Sequence, residues 1–370
     1  MGPSAVSTIH ESDTGRRRVV VLYGGRSSEH SISCLSARSV LAAVDRDRYD
    51  VFPIGITRAG RWTLTDGVIA AGADALPVVA DDGPTAALVG TRRGPLLVEL
   101  DDDGERVDAH GVVDVVFPVL HGPWGEDGTV QGMLATVGVP FVGADVTASS
   151  IGIDKAAMKA TFAASGLEQT DYLTVHRAGW TEDRAFWVAE IRARLDPPWF
   201  VKPTRQGSSI GISRVDDPAG LDAALAEAYE HDDVAVIEEG VVDAREIEVG
   251  ILGDEPPHVT APGEIVPAGD FYDFDAKYQG SSRLIIPAEI DPHVDQTIRA
   301  LAADAYRAIG CRGLARVDFF LTADGQVLLN EINTIPGFTE MSMFPRLWAA
   351  EGLDYPALVD RLLDDALGNP

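Results

Sequence analysis

Long hydrophobic runs are missing from this sequence. No apolar stretch reaches the roughly 18 residues that a membrane-spanning helix needs, and residues 1–15 lack the apolar core of a signal peptide. We therefore expect neither a membrane span nor a secretory signal, and we expect residues 1–15 to be a disordered leader. The two cysteines, Cys34 and Cys311, lack the spacing of a metal site. Cysteine use of this kind is typical of a reducing compartment, which predicts a cytoplasmic protein.

Basic residues are also scarce. The 370-residue chain has 30 Lys and Arg against 58 Asp and Glu, which gives a formal net charge of −28. Nucleic acid is therefore not expected as a partner, because a phosphate backbone needs a basic surface. A small anionic ligand is still compatible with a few local lysines, arginines and backbone amides. The glycine fingerprint G-x-G-x-x-G is absent too, which disfavours a nicotinamide-dependent dehydrogenase.

What is present predicts an α/β (α+β) chain of three domains. The stretch "RRVVVLYGGRSSEHSISCLSARSVLAAV" runs from a buried strand through Gly-Gly into a helix, and similar units follow it. The length suits two or three domains. We place an N-terminal α/β domain at 16–145, a central domain at 146–240 and a C-terminal domain at 241–370. Within the last, the aromatic and charged segment 269–283 predicts a lid loop.

A hairpin near the C-terminus places two acids face to face. In "RVDFFLTADGQVLLNEIN" (316–333), the Asp-Gly pair predicts a two-residue turn in which Ala323 pairs with Gln326. That register sets two pairs on one face of the hairpin, Asp318 opposite Glu331 and Arg316 opposite Asn333. The other face takes Val317, Phe319, Asn330 and Ile332, because side chains alternate.

Two carboxylates in this position repel each other. At ~5 Å and an effective dielectric constant near 20, the repulsion is about 3 kcal/mol. A hard divalent cation offsets it, since Mg²⁺ takes carboxylate and amide oxygens together with phosphates. The alternative is a solvated polar face on which Arg316 neutralises one acid. The hairpin predicts a metal clamp formed by Asp318, Glu331 and Asn333.

Other patterns suggest a phosphate-binding and nucleotide-binding site. Lys202 ends a strand before the Gly/Ser loop of "KPTRQGSSIG", whose amides and hydroxyls suit phosphates, although a plain turn has the same pattern. Lys155 is a second candidate cation. Several acids follow around a strand, where carboxylates hold ribose or adenine or simply face solvent: Glu238, Glu239, Glu246 and Glu248. His121 follows a buried strand, at the sheet edge where α/β proteins bind ligands, but a structural role is as common there.

In this order, the motifs resemble those of the D-alanine–D-alanine ligases of the ATP-grasp superfamily. The resemblance runs from about residue 18 to near the end, and seven stretches carry it: "GGRSSEHSIS", "LHGPWGEDGTVQGML", "DKAAMK", "VKPTRQGSSIGIS", "IEEGVVDAREIEVGILG", "FYDFDAKY" and "RVDFF…LLNEINTIPGFTEMSMFP". It implies two domains that close on ATP, with a Rossmann-like N-terminal domain that completes the amino-acid site. It also implies a homodimer and two Mg²⁺ or Mn²⁺ ions.

The resemblance further implies a role for each matching residue. The metal positions are Asp318, Glu331 and Asn333. The ATP positions are Lys155, Lys202, Ser208, Glu238, Glu239, Val241, Glu246 and Lys277. Glu29 holds the ammonium of the first D-alanine and His121 lies near its carboxylate, while Ser342 and Met343 belong to the second D-alanine. The catalytic positions are Glu29, Ser208, Tyr278, Arg316 and the N–H of Gly337.

The implied reaction joins two D-alanine molecules through an acyl phosphate made with ATP. Arg316 and the Gly337 N–H are expected to stabilise the oxyanion of the tetrahedral intermediate. Tyr278 stands where relatives that use D-lactate as the second substrate tend to have Phe, which favours the dipeptide. The alternatives are a D-alanine–D-lactate ligase, another carboxylate–amine ligase, or a catalytically silent nucleotide sensor. The last of these predicts loss of Arg316, Lys277 or a metal acid, and all are present.

Overall fold

The computed structural model describes residues 6–9, 15–67, 76–101, 107–266 and 283–368. Nearly all of the predicted lid at 269–283, including Lys277 and Tyr278, lies outside the described residues. No helix in the described ranges has the length and apolar character needed to cross a bilayer. The α/β class expected from the sequence is confirmed, because three sheets are flanked by helices.

The first sheet has eight strands and carries the N-terminal part of the site. Its elements are β1 (Val6–Ile9), β2 (Arg17–Gly24), α1 (His30–Ala43), β3 (Tyr49–Ile56), β4 (Trp62–Leu64), β5 (Thr85–Thr91), β6 (Gly94–Leu100), β7 (Val107–Val112), β8 (Val115–Val119) and α2 (Thr129–Val137). The strand order is β1-β7-β6-β5-β4-β3-β2-β8. Strands β3, β2 and β8 run parallel. The carboxyl ends of β2 and β8 therefore lie side by side, where open α/β sheets bind ligands.

Residues 1–15 are expected to be a disordered leader, but the structure has a strand at Val6–Ile9. These four residues pair in parallel with β7 at the edge of the first sheet. Three of the four are β-branched, a composition that favours an extended strand once an unpaired edge is available. The local sequence does not reveal that edge, because β7 lies about a hundred residues further along the chain.

The second sheet is a four-stranded antiparallel sheet in the order β11-β10-β12-β9. Its part of the chain comprises α3 (Val146–Ile153), α4 (Lys155–Ala164), β9 (Tyr172–His176), α5 (Arg177–Glu182), α6 (Arg184–Arg194), β10 (Trp199–Pro203), β11 (Ser213–Val215), a 3₁₀ turn (Pro218–Gly220), α7 (Leu221–His231) and β12 (Val234–Glu239). The single helix that the pattern "SIGIDKAAMKATFAASG" suggests is broken at Asp154. The Asp154 carboxylate accepts hydrogen bonds from two backbone N–H groups and begins α4.

The third sheet has the order β16-β15-β13-β17-β18, with β14 paired to β13. Its elements are β13 (Arg245–Leu252), β14 (His258–Val259), β15 (Gly263–Val266), β16 (Arg283–Ile285), α8 (Pro292–Ala308), β17 (Leu314–Leu321), β18 (Val327–Asn333), α9 (Met343–Ala350) and α10 (Tyr355–Gly368). Helix α10 packs Leu358 and Leu362 into the core of the first sheet, beside Val19 of β2. The end of the chain thus ties the third sheet to the first.

The β17–β18 hairpin has the predicted register at its open end but not at its turn. Arg316 pairs with Asn333 and Asp318 with Glu331, as the sequence predicts. The two-residue turn was wrong: a three-residue loop ends at Gly325, whose φ of 89° lies in the left-handed region. An irregularity beside Asp318 leaves Asn330 as an extra residue, and it compensates for the longer loop.

Candidate active site

Three carboxylates lie in a row across adjacent strands of the third sheet. Glu248 of β13 pairs with Asp318 of β17, which pairs in turn with Glu331 of β18. The sequence pattern groups Glu248 with the predicted nucleotide-binding acids. It does not reveal the β13–β17 pairing, because that pairing joins residues 70 positions apart. The structure instead places it beside the predicted metal residues.

Arg316 balances much of this negative charge. Its Nε and Nη2 atoms each donate to Asp318 at 2.7 Å, and Nε lies 2.9 Å from Glu248 Oε2. Burial would lower the pKa of Arg316, but Asp318 and then Glu248 outweigh burial and raise this pKa well above its ordinary value. The ion pair expected from the alternative interpretation of the hairpin, in which Arg316 neutralises one acid, is therefore present.

The residues of the predicted clamp fit a hard cation by their donor chemistry. Asp318 and Glu331 supply carboxylate oxygens, and the Nδ2 atom of Asn333 lies 3.1 Å from Asp318 Oδ2 and 3.5 Å from Glu331 Oε1. A half-turn of the Asn333 amide presents its oxygen at the same place, and such oxygens suit Mg²⁺ or Mn²⁺. The described residues contain no metal-binding group of three His, Cys, Asp or Glu side chains. The Asn333 amide would supply a third donor beside the two carboxylates.

Glu29 brings the first sheet into contact with the Gly/Ser loop. It follows β2, is 5% exposed, and its Oε1 atom accepts a short hydrogen bond from the Ser208 hydroxyl. Its other carboxylate oxygen, Oε2, is buried and has no hydrogen-bond partner among the described residues. A buried carboxylate oxygen of this kind is costly unless a donor meets it. The site therefore fits a ligand with a positively charged donor.

The lysines predicted to bind phosphate converge on the Gly/Ser loop and β12. Lys155 Nζ donates to the carbonyl oxygen of Gln206 at 2.7 Å. Lys202 Nζ donates to Glu238 Oε2 at 2.7 Å, and a third lysine, Lys159, lies 3.4 Å from Glu238 Oε1. Burial alone would raise the pKa of Glu238, but Lys159 and Lys202 lower it to about 2. Glu238 is therefore ionised and held by two lysines.

Lys159 was not predicted from the sequence. Its side chain is fully buried, and Nζ also donates to the Thr170 hydroxyl at 3.1 Å. Burial lowers its pKa, an effect that Glu238 opposes. One signal was available: Lys159 follows Lys155 by one helical turn, which puts both on the same face of α4.

The other predicted nucleotide residues lie at the ends of neighbouring strands. Glu239 closes β12, and its carboxylate accepts the Asp196 N–H at 2.8 Å. Val241 is partly exposed in the turn that follows. Glu246 lies on β13, two residues before Glu248 and so on the same face of the third sheet.

His121 lies at the end of β8 with both ring nitrogens engaged. Nδ1 lies 3.1 Å from the Ile335 carbonyl oxygen and Nε2 lies 3.0 Å from the Ser36 hydroxyl. Because a carbonyl only accepts, Nδ1 carries the proton and Nε2 accepts from Ser36. Burial lowers the pKa of His121, which keeps the ring neutral. These contacts hold the turn after β18 rather than leave a ring N–H for a ligand.

Glu126, in the same loop, was also missed. Its Oε2 atom accepts the Gly122 N–H at 2.6 Å, and its Oε1 atom accepts the Ile335 N–H at 3.3 Å. Burial first, and then the neighbouring Glu29, raise the pKa of Glu126 above its ordinary value. The motif "GPWGEDG" contains this acid, but its partner lies 209 residues away in sequence.

Gly337, Ser342 and Met343 follow the hairpin and lead into α9. The Ser342 hydroxyl accepts the Thr339 N–H at 3.1 Å, and a Cβ atom on Gly337 would lie 3.3 Å from its oxygen. Met343 is 5% exposed and packs with Ile265 and Leu347, so its side chain belongs to a small apolar cluster. Its backbone begins α9.

Family comparison covers almost the whole chain. A family model described as D-ala D-ala ligase N-terminus matches residues 18–144, and one described as D-ala D-ala ligase C-terminus matches residues 161–364. The D-alanine–D-alanine ligase of Streptomyces avermitilis is 46% identical over 96% of this chain and 96% of that protein.

Solved structures give the same result for the fold. The crystal structure of VanG D-Ala:D-Ser ligase from Enterococcus faecalis is similar with a TM-score of 0.80 at 32% identity, covering 95% of this chain and 99% of that one. The structure of the D-alanine–D-alanine ligase from Coxiella burnetii has a TM-score of 0.80 at 30% identity, covering 95% and 94%. The three-sheet arrangement is therefore shared with these ligases.

Proposed function

Because this chain belongs to the D-alanine–D-alanine ligase family, we propose that its site joins two D-alanine molecules into D-alanyl-D-alanine. The family's reaction uses ATP and supplies the precursor for peptidoglycan. The fold is the ATP-grasp fold of these ligases. The roles of the described residues are inferred from their contacts, and those of Lys277 and Tyr278 from the family resemblance.

The observation that carries the proposal is the buried Oε2 atom of Glu29, which has no hydrogen-bond partner in the part of the chain that the structure describes. An amino-acid ammonium is a small, positively charged hydrogen-bond donor that would pair with this oxygen. Built Cβ atoms on Gly122 and Gly207 would lie 2.5 Å and 2.7 Å from the same oxygen. Glycine at these two positions leaves room for the carboxylate, and Glu29 is assigned to the first D-alanine.

Gly207→Ala tests this assignment. The added methyl group displaces the end of the flexible Glu29 side chain, so the free energy of unfolding should change little while the first D-alanine binds more weakly. KM for the first D-alanine, from the dependence of ADP formation on D-alanine, should rise at least about tenfold, as for a weakened charge-assisted hydrogen bond of about 1.5–3 kcal/mol.

The matched control for this variant is Gly132→Ala. A methyl group at Gly132, in α2, would have its nearest neighbour at 3.9 Å, so KM should not change. An unchanged KM in Gly207→Ala would remove Glu29 from the first substrate site.

The first chemical step is assigned to the lysines and the Gly/Ser loop. A carboxylate oxygen of the first D-alanine attacks the terminal phosphorus of ATP, and ADP leaves. Lys155, Lys202 and Ser208 would hold the phosphates, with Lys277 of the lid reaching the terminal one. Asp318, Glu331 and Asn333 would hold two Mg²⁺ or Mn²⁺ ions, which supply charge neutralisation to the phosphates when bound.

In the second step, the amine of the second D-alanine attacks the acyl carbon and phosphate leaves. Arg316 bonds Asp318 through Nε and Nη2, and neither of these two bonds uses its Nη1 atom. Arg316 is therefore assigned, together with the Gly337 N–H, to stabilising the oxyanion. Ser342 and the Met343 backbone are assigned to the carboxylate of the second D-alanine. Tyr278 is assigned to a hydroxyl network with Ser208 and Glu29.

The adenosine is assigned to the end of β12 and the start of β13. Glu238 has both carboxylate oxygens engaged by lysines, so it orients Lys202 beside the nucleotide. Glu239 and Val241 offer backbone groups to the adenine, and Glu246 offers its carboxylate to the ribose. We propose domains at 16–145, 146–240 and 241–370, a homodimer, and a cytoplasmic location.

Phosphate release with product masses tests the function. With Mg²⁺ and ATP, D-alanine alone should release phosphate and give the mass of D-Ala–D-Ala, whereas L-alanine should not. D-lactate and D-serine are tested as second substrates, D-serine because of the similarity to a D-Ala:D-Ser ligase. An excess of the D-lactate or D-serine product over D-Ala–D-Ala would change the assignment of the second substrate. No release with any substrate would favour the silent nucleotide sensor.

A further inference from the structure

In the turn after β18, Ile335 bonds the third sheet to the loop that follows β8. Its N–H donates to Glu126 Oε1 at 3.3 Å, and its carbonyl oxygen accepts from His121 Nδ1 at 3.1 Å. Both backbone polar groups of one residue in the third sheet's hairpin segment are thus bonded to the loop that follows β8. This two-point contact is the Ile335 clasp.

Glu126 also connects the two halves of the clasp. Its second oxygen, Oε2, accepts the N–H of Gly122, the residue directly after His121, at 2.6 Å. The Glu126 N–H donates back to the Gly122 carbonyl oxygen at 2.9 Å. One carboxylate therefore fixes the spacing between its own loop and Ile335.

The chemistry of the two partners explains why this residue is an acid. Both groups that face the Glu126 side chain are backbone N–H donors, so both of its terminal atoms must accept. A glutamine of the same shape offers one oxygen and one NH₂ group, which meets an N–H with another donor. Burial, and then the neighbouring Glu29, raise the pKa of Glu126 to about 8, and both of its oxygens still accept a backbone N–H.

The clasp lies two residues before Gly337. Pro336 stands between them, and its ring fixes φ near −65°, so an orientation set at Ile335 passes to the Gly337 peptide with little freedom. Oxyanion stabilisation requires a donor within a few tenths of an ångström of its place, so a loosened turn weakens that step above all.

We propose that Glu126 is a positioning residue for acyl transfer, which holds the Ile335–Gly337 turn so that the Gly337 N–H faces the reacting carbonyl. The proposal rests on the proposed function, and it assigns Glu126 to the second chemical step rather than the first. Phosphoryl transfer is assigned instead to the lysines and the Gly/Ser loop.

Single-turnover kinetics separate the two steps. ADP formation reports phosphoryl transfer and dipeptide formation reports acyl transfer, each measured with ATP, Mg²⁺ and D-alanine. In Glu126→Gln, dipeptide formation should slow at least about tenfold, while ADP formation stays within about threefold of the parent chain. The matched control is Asp127→Asn in the same loop. Asp127 accepts the N–H groups of Trp124 and Thr129 and does not take part in the clasp, so both rates should be unchanged.

A second variant keeps the test informative if Glu126→Gln does not fold. Glu126→Asp keeps the acid but shortens the side chain, so that it no longer reaches the Ile335 N–H, and it should produce the same selective loss of acyl transfer. Equal slowing of ADP and dipeptide formation in the folded variants, or no slowing of either, would overturn the proposal. Failure of the parent chain to form ADP or dipeptide with D-alanine would instead overturn the proposed function.

Discussion

Glu331→Gln is expected to abolish metal-dependent turnover while the fold stays intact. The substitution removes one of the two carboxylates that face each other across the β17–β18 hairpin, and with it one charge that holds a divalent cation. Because phosphoryl transfer relies on neutralising charge, we expect kcat to fall at least about a hundredfold. The free energy of unfolding without metal should not decrease, since a like-charge pair is relieved.

Asp324→Asn is the matched control for this variant. Asp324 lies on the same hairpin at its exposed tip, and its carboxylate accepts a bond from the Thr322 hydroxyl. This variant loses the same charge from the same hairpin and should keep parent activity. Calorimetric titration with Mg²⁺ in the presence of an ATP analogue should show weakened binding in Glu331→Gln alone. Full turnover in that variant would exclude the metal clamp.

Arg316→Met is expected to reduce stability strongly as well as activity. Arg316 lies between Glu248 and Asp318, with Glu331 next in the row, so its loss leaves a cluster of acids without their cation. Removing one partner from a buried ion pair costs about 3–5 kcal/mol, and we expect a decrease of that size in the free energy of unfolding without metal. Dipeptide formation should be lost as well, because the oxyanion loses a donor.

Added Mg²⁺ should distinguish the two functions of Arg316. In Arg316→Met, the freed carboxylates should bind Mg²⁺ more tightly than in the parent chain, so Mg²⁺ should raise Tm more in the variant. Activity should not return, since the metal does not replace the guanidinium at the acyl centre. As a control, Arg307→Met removes an arginine from an exposed pair with Glu255 and should cost less than about 1 kcal/mol. Parent-like stability of Arg316→Met would contradict the charge balance described here.

The hairpin register shows how much of the site could be predicted from the sequence. Alternation with period two and the Asp-Gly turn signal placed Asp318 opposite Glu331, and the structure agrees. The predicted turn was one residue too short, and the extra residue at Asn330 compensated for it. The correct pairing at the site therefore depended on two errors in the local geometry that cancel.

Residues whose partners are distant in sequence could not be predicted. Glu248 joins the acid row through strand pairing, and Glu126 and His121 meet Ile335 across more than 200 positions. Local patterns carry no information about such contacts, because they arise only when the sheets pack together. Lys159 is an intermediate case. Helical spacing indicates its face of α4, but it does not indicate Glu238 as its partner.

Isotope transfer from D-alanine to phosphate tests directly whether this site activates a carboxylate. In the proposed reaction, a carboxylate oxygen of the D-alanine bound at Glu29 attacks ATP and later leaves with the phosphate. D-alanine labelled with ¹⁸O in its carboxylate should therefore give phosphate containing one ¹⁸O atom per dipeptide formed, and the dipeptide should keep the other in its peptide carbonyl. Phosphate free of ¹⁸O, formed together with the dipeptide, would contradict the acyl phosphate route and the assignment of this site to carboxylate activation.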